Sequence, residues 1–190
     1  MRKGKSICNL CGDDAIKFQP GIKGGNSNKT KFMFVLHKPD TRINNSVLGF
    51  ANSYDVALSE SKTGIEIGRM LRYLNLDIRD IYLTNLFKCV LKQDRSPKKK
   101  EYLRCLDNFD KEIANFNPEK LVLFGDKTFQ MLFPGLAKNN LHKSFWTQSR
   151  FYSDNNIPSF FLPHPSKMVY FSEERRISEF YEPLKEFLEI

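Results

Sequence analysis

The chain has 190 residues, 41% of them hydrophobic and 27% charged, which is enough to bury a core without disulfide staples and excludes wholesale disorder. No apolar run approaches the roughly 20 residues of a membrane helix, and the basic start Met1-Arg2-Lys3-Gly4-Lys5 is not followed by the apolar stretch of a secretory signal, so the expected compartment is the cytoplasm. Lys and Arg number 30 against 22 Asp and Glu, a net charge of +8, and the excess is clustered: residues 1–38 carry eight basic and two acidic groups, residues 88–100 six and one. Clusters of that kind suit a polyanion such as nucleic acid, although a solvated basic surface has the same composition.

In chain order, the first feature is Cys8-Asn9-Leu10-Cys11-Gly12, two thiols that can turn toward one metal centre. The other two cysteines, Cys89 and Cys105, are 16 positions apart. A zinc ribbon repeats the tight pair in its second half, and this chain does not; an iron–sulfur cluster tolerates wider spacing. Four unrelated cysteines remain the plain alternative. Residues 12–30 are rich in Gly, Asn and Lys and read as a loop. The apolar run from Lys31 to Leu36 suits a strand buried on both faces. Residues 38–63 are polar and turn-rich, interrupted around Val47 to Phe50.

Thr63-Gly64-Ile65-Glu66 reads as a capping box, with Ile67, Met70, Leu71 and Leu74 at helical spacing behind it. Ile81 to Thr84 is a short strand ending at Asn85, and residues 90–100 form a basic loop. Ser96-Pro97 opens a helix with Leu106, Phe109, Ile113 and Phe116 on one stripe. Leu121 to Phe124 is a third strand, closed by Gly125-Asp126 before a short helix. Pro158 to Leu162 is a fourth, ending at Pro163-His164-Pro165. Ile177, Phe180, Tyr181, Leu184, Phe187 and Leu188 mark a last amphipathic helix that Pro183 should kink or split.

Strands alternating with helices predict an α/β fold, three layers (αβα) around a central, mostly parallel four-stranded sheet. Without repeat or linker, residues 1–190 are expected to form a single domain. Ligands of such sheets bind outside the carboxyl ends of the strands. The residues just past those ends are His37 to Asp40, Asn85, Gly125-Asp126 and His164-Pro165-Ser166, so that two histidines, two aspartates, an asparagine and a serine share one rim.

These rim segments and the cysteines together resemble the uracil-DNA glycosylase superfamily, most closely its iron–sulfur branch (family 4). Tyr82-Leu83-Thr84-Asn85-Leu86-Phe87-Lys88-Cys89 is similar to that branch's strand ending in Thr-Asn and running on to Lys-Cys. Cys89 through Ser96-Pro97 to Cys105 resembles its second cluster segment, Pro118 to Gly125 the strand that closes on glycine, and His164-Pro165-Ser166 its His-Pro-Ser motif. With Cys8 and Cys11, the similarity spans most of the chain. The first motif departs: where the family reads roughly Gly-Glu-Ala-Pro-Gly, this chain has Leu36-His37-Lys38-Pro39-Asp40, and the loop that follows is longer than usual.

The resemblance implies a DNA glycosylase, acting on uracil by default, that flips a base out of the stack and hydrolyses its bond to the sugar. It casts His164 as the donor that stabilises the leaving base anion and Asn85 as the reader of the base edge. His37 and Asp40 compete for the place of the water-orienting acid. Phe50 and Tyr54 are candidates for the aromatic that stacks on the base. Ser166, Lys167 and Met168 would lie at the DNA backbone and minor groove, with Lys167 or Met168 as a wedge. Lys38, Lys98 and Lys99, with Lys92, Arg95 and Lys100, would meet phosphate.

Cys8, Cys11, Cys89 and Cys105 would hold a [4Fe–4S] cluster, or zinc as the alternative, pinning residues 1–30 and the 89–105 segment to the sheet. The expected partner is DNA, not a membrane, and the expected state a monomer. The altered first motif keeps other readings open. One is a glycosylase for a modified base, such as glucosylated 5-hydroxymethylcytosine in anti-phage defence. Others are a DNA-binding module that has lost catalysis and, were the metal zinc, an RNA-binding protein.

Overall fold

The computed structural model describes residues 15–18, 21–23, 32–39, 61–76, 80–134, 149–152 and 156–190. Cys8, Cys11, Asp40, Phe50 and Tyr54, and the segment around Val47, lie outside the described residues.

Four parallel strands form the centre of the main sheet: β3 (Phe32–Leu36), β4 (Ile81–Asn85), β6 (Lys120–Phe124) and β8 (Ile157–Leu162). They stand in the order β4-β3-β6-β8. Each matches a sequence-predicted strand to within a residue, because a strand covered on both faces must be apolar throughout. All five residues of β3 are buried. Antiparallel edge strands extend the sheet to six: β2 (Ile22–Lys23) beside β4 and β7 (Ser149–Tyr152) beside β8. Neither edge was predicted. The turn residues Ser153-Asp154-Asn155-Asn156 between two β-prone runs were the available signal for the β7–β8 hairpin. A separate two-stranded sheet pairs β1 (Ala15–Phe18) with β5 (Cys89–Leu91).

Side chains alternate along the strands and divide the core in two. Phe34, Leu36, Leu83, Val122, Phe124 and Leu162 face α1 (Lys62–Tyr73) and the C-terminal helices. Met33, Val35, Tyr82, Leu121, Leu123 and Phe161 face α2 (Lys99–Phe116) and α3 (Asp126–Leu132). This is the expected three-layer arrangement.

Two helix starts differ from expectation. The N-cap of α1 is Ser61, whose hydroxyl accepts from the Gly64 N–H at 2.9 Å. Glu66 does not reach back as a capping box would. It is fully buried, accepts from the Tyr181 hydroxyl, and lies 3.5 Å from Arg69 and 3.6 Å from Arg176. The helix expected at Ser96-Pro97 starts at Lys99, where Glu101 accepts the Lys98 N–H at 2.6 Å. The chain then closes through α4 (Pro165–Met168), α5 (Glu173–Arg176), a π-helical turn (Ile177–Tyr181) and α6 (Glu182–Leu188). Pro183 sits in the first turn of α6, directly after the π-helical turn, so the helical run from Glu173 to Leu188 widens at the proline and is not split there.

Candidate active site

The parallel register brings four strand ends to one rim. Leu36 pairs with Asn85 and Phe124 with Leu162, so Asn85 at that level, His37 and Gly125 one residue past it and His164 two past it share the rim. Asn85 closes β4 with 2% of its surface exposed. Its Oδ1 is buried without a hydrogen-bond partner. A buried amide carbonyl left unmet costs on the order of 1–3 kcal/mol, which a donor at the rim would recover.

His164 caps α4. Its Nδ1 accepts the Ser166 N–H at 3.3 Å and lies 2.9 Å from the Ser166 hydroxyl. An Nδ1 that accepts a backbone N–H carries no proton, so the neutral ring keeps its proton on Nε2. Ser166 is thereby a positioning residue. Gly125 makes room for the ring: a Cβ there would stand 3.3 Å from the His164 Cβ and 3.4 Å from its Cδ2. Gly125 also sits at φ +88°, which a side chain tolerates poorly, and its N–H ties β6 to the Leu162 carbonyl at 2.9 Å.

His37 lies half-buried and stacks on Tyr102 with ring centres 5.2 Å apart. Its Nε2 is, like Asn85 Oδ1, a buried polar atom without a hydrogen-bond partner. Burial, then the charge of Lys38, push its pKa down to about 4. It is therefore neutral near pH 7. Lys38 beside it is half-buried.

Beyond the rim, Lys167 is exposed and lies 3.5 Å from Asp126. Met168 corrects an expectation. It is fully buried in the core beneath α4 and has no surface to offer DNA, because the short helix turns its side chain inward. Lys98 and Lys99 are exposed at the start of α2, as are Lys92 and Lys100. Arg95 is engaged within the fold: its guanidinium grips Glu101 through two bonds of 2.9 and 2.7 Å, holding that carboxyl down at a pKa of about 2.

Cys89 and Cys105 are both buried, in one apolar cluster with Phe87, Leu91 and Tyr102, and neither is in a disulfide. In the β1–β5 pairing Phe18 stands opposite Cys89 and Ala15 opposite Leu91. Cys8 and Cys11, the other two cysteines of the expected centre, lie outside the described residues. Among the described residues no three His, Cys, Asp or Glu gather as metal ligands.

Sequence reasoning missed one cluster behind the rim. Lys88, fully buried, donates to Glu112 and, at 2.6 Å, to Thr84, whose hydroxyl donates to the same carboxylate at 2.9 Å. Tyr102, the floor under His37, carried no signal, since it reads as one more apolar position of α2.

The sequence profile of the uracil DNA glycosylase superfamily matches residues 18–188. The chain belongs to that superfamily. No curated protein matches it. Membership supports a DNA glycosylase, a hydrolase that binds DNA, and it accounts for polar groups gathered at the carboxyl ends of a parallel sheet. Among the described residues no helix is long and apolar enough to cross a membrane.

Proposed function

We propose that this chain is a monofunctional DNA glycosylase that hydrolyses the N-glycosidic bond of a flipped-out base, uracil by family default. The observation that carries the reading is the pairing, on one rim, of His164, whose Nδ1 accepts the Ser166 N–H, with the unmet carbonyl of Asn85.

The leaving base departs as an anion while the sugar becomes an oxocarbenium-like cation. His164 Nε2–H donates to the base oxygen on which that charge develops. The donor is fixed in advance, because Ser166 holds the tautomer and Gly125 the ring position. Asn85 reads the base edge: its Oδ1 accepts from a ring or exocyclic N–H, and the amide suits uracil or, rotated, cytosine. His37 Nε2 takes the place of the family's acid by accepting a hydrogen bond from the attacking water. At a pKa of about 4 it is a weak base, which suffices when the electrophile is already cationic.

Cys8, Cys11, Cys89 and Cys105 would hold a [4Fe–4S] cluster. When bound, it ties the N-terminal segment to the start of β5 and to α2. Cys89→Ala is expected to remove visible absorption and stability together; a colourless wild-type protein carrying zinc after anaerobic purification rules out the cluster.

The deciding experiment is base release from oligonucleotides containing uracil, hypoxanthine, 5-hydroxymethylcytosine or its glucosylated form, scored as abasic sites. His164→Ala is expected to lower release about 10²–10³-fold with DNA binding kept. Release of only the modified cytosine would turn the His37-Lys38-Pro39 departure into a specificity device. No release from any substrate, with binding intact, would sink the enzymatic reading.

A further inference from the structure

The most exposed aromatic side chain among the described residues is Tyr170, at 74% of its surface, on the turn that follows α4. Its neighbours on that turn go inward: Met168 is fully buried and Phe171 packs on the core with Arg175 4.2 Å over its ring. Tyr170 is nevertheless held. The Lys62 ammonium, from the first turn of α1 and 108 positions away in sequence, donates to its hydroxyl at 2.8 Å and stands 4.9 Å from its ring centre. α1 packs directly on α4, so the pair bridges two elements of the scaffold. Lys167 is exposed on the same turn, and Ile65 is exposed beside Lys62.

An exposed ring contributes little to folding and exposes apolar surface. A ring fixed in place with cations beside it is the arrangement by which proteins stack successive bases of a single strand. We propose that Tyr170 and Lys62 form a platform for an unpaired base of single-stranded DNA flanking the target, the ring stacking on the base and the ammonium meeting its phosphate. Lys62 spends one N–H on the tyrosine and keeps two for the phosphate. Tyr170 follows His164 by six positions, across the four-residue α4 and the turn that ends it. The platform rests on the DNA-glycosylase reading and adds a strand preference to it.

The test is anisotropy of the full chain on a fluorescent 20-mer, single-stranded and as duplex, across a salt series. Tyr170→Ala is expected to weaken single-strand binding about five-fold or more, and Tyr170→Phe to stay within about two-fold. Lys62→Gln should lower the slope of log K against log salt by about 0.7. Both side chains are exposed, so the variants should keep the wild-type melting temperature. Unchanged single-strand binding in Tyr170→Ala, or an equal loss on single strand and duplex, overturns the platform. If base release by the wild type persists in that case, the catalytic reading stands and the platform alone falls. A wild type that binds neither form removes both.

Discussion

Asn85 and Lys88 stand three residues apart where β4 leaves the sheet, and both are buried. Lys88 has partners for its charge in Glu112 and Thr84; the Asn85 carbonyl has none. The difference separates two kinds of polar residue. Behind the rim, a buried charge is tolerated only because the fold supplies its counter-charge. At the rim, Asn85 Oδ1 and His37 Nε2 are left unmet, and on the proposed reading the substrate and the attacking water meet them.

The largest expected effect breaks the satisfied side. Burial lowers the Lys88 pKa, and the Glu112 carboxylate opposes that shift. Glu112→Ala leaves a buried ammonium unpaired and should cost about 3–5 kcal/mol in urea unfolding. Pairing that change with Lys88→Met should recover most of the loss, since the double variant buries no charge. A double variant as unstable as the single would mean that Lys88 is not held by Glu112.

Next is the contact that sets the rim. Gly125→Ala combines a positive φ with a Cβ 3.3 Å from the His164 Cβ. It should cost about 1–3 kcal/mol in stability. It should also depress base release further than that loss explains, because the imidazole must move. Release falling only in step with the folded fraction would deny Gly125 its positioning role.

Much of this was legible in the sequence. The four core strands were, because a strand buried on both faces is written as an unbroken apolar run such as Phe32 to Leu36. The rim followed from strand order alone. Met168 was misread because a motif gives position along the chain and not the direction a four-residue helix turns. Glu66 was misread because a capping pattern and a buried acid share the same letters; what decides is Tyr181, 115 positions away. The Lys88–Glu112–Thr84 cluster joins two elements whose packing no local pattern encodes.

His37 gives a smaller effect, visible in pH. Its folded pKa of about 4 lies below its ordinary 6.5, so the unfolded chain takes up the proton first. Stability from this group is full above pH 6.5 and falls as pH drops toward 4. Between pH 7 and 5 the loss should be about 1–2 kcal/mol. His37→Gln should remove that share of the acid slope; an unchanged slope would place the titration elsewhere.

The smallest effect on stability is also the sharpest test of the comparison. Asn85→Ala deletes a buried carbonyl that nothing in the fold meets. A residue kept for the fold would cost several kcal/mol to remove, as Glu112 should. A residue kept for a substrate should cost little, because the small cavity is offset by relief of an unmet polar group. The expected outcome is an unfolding free energy within about 1 kcal/mol of wild type and base release reduced to background. If Asn85→Ala instead unfolds the protein while the residual folded fraction still releases base, Asn85 belongs with Lys88, and the rim loses its reader.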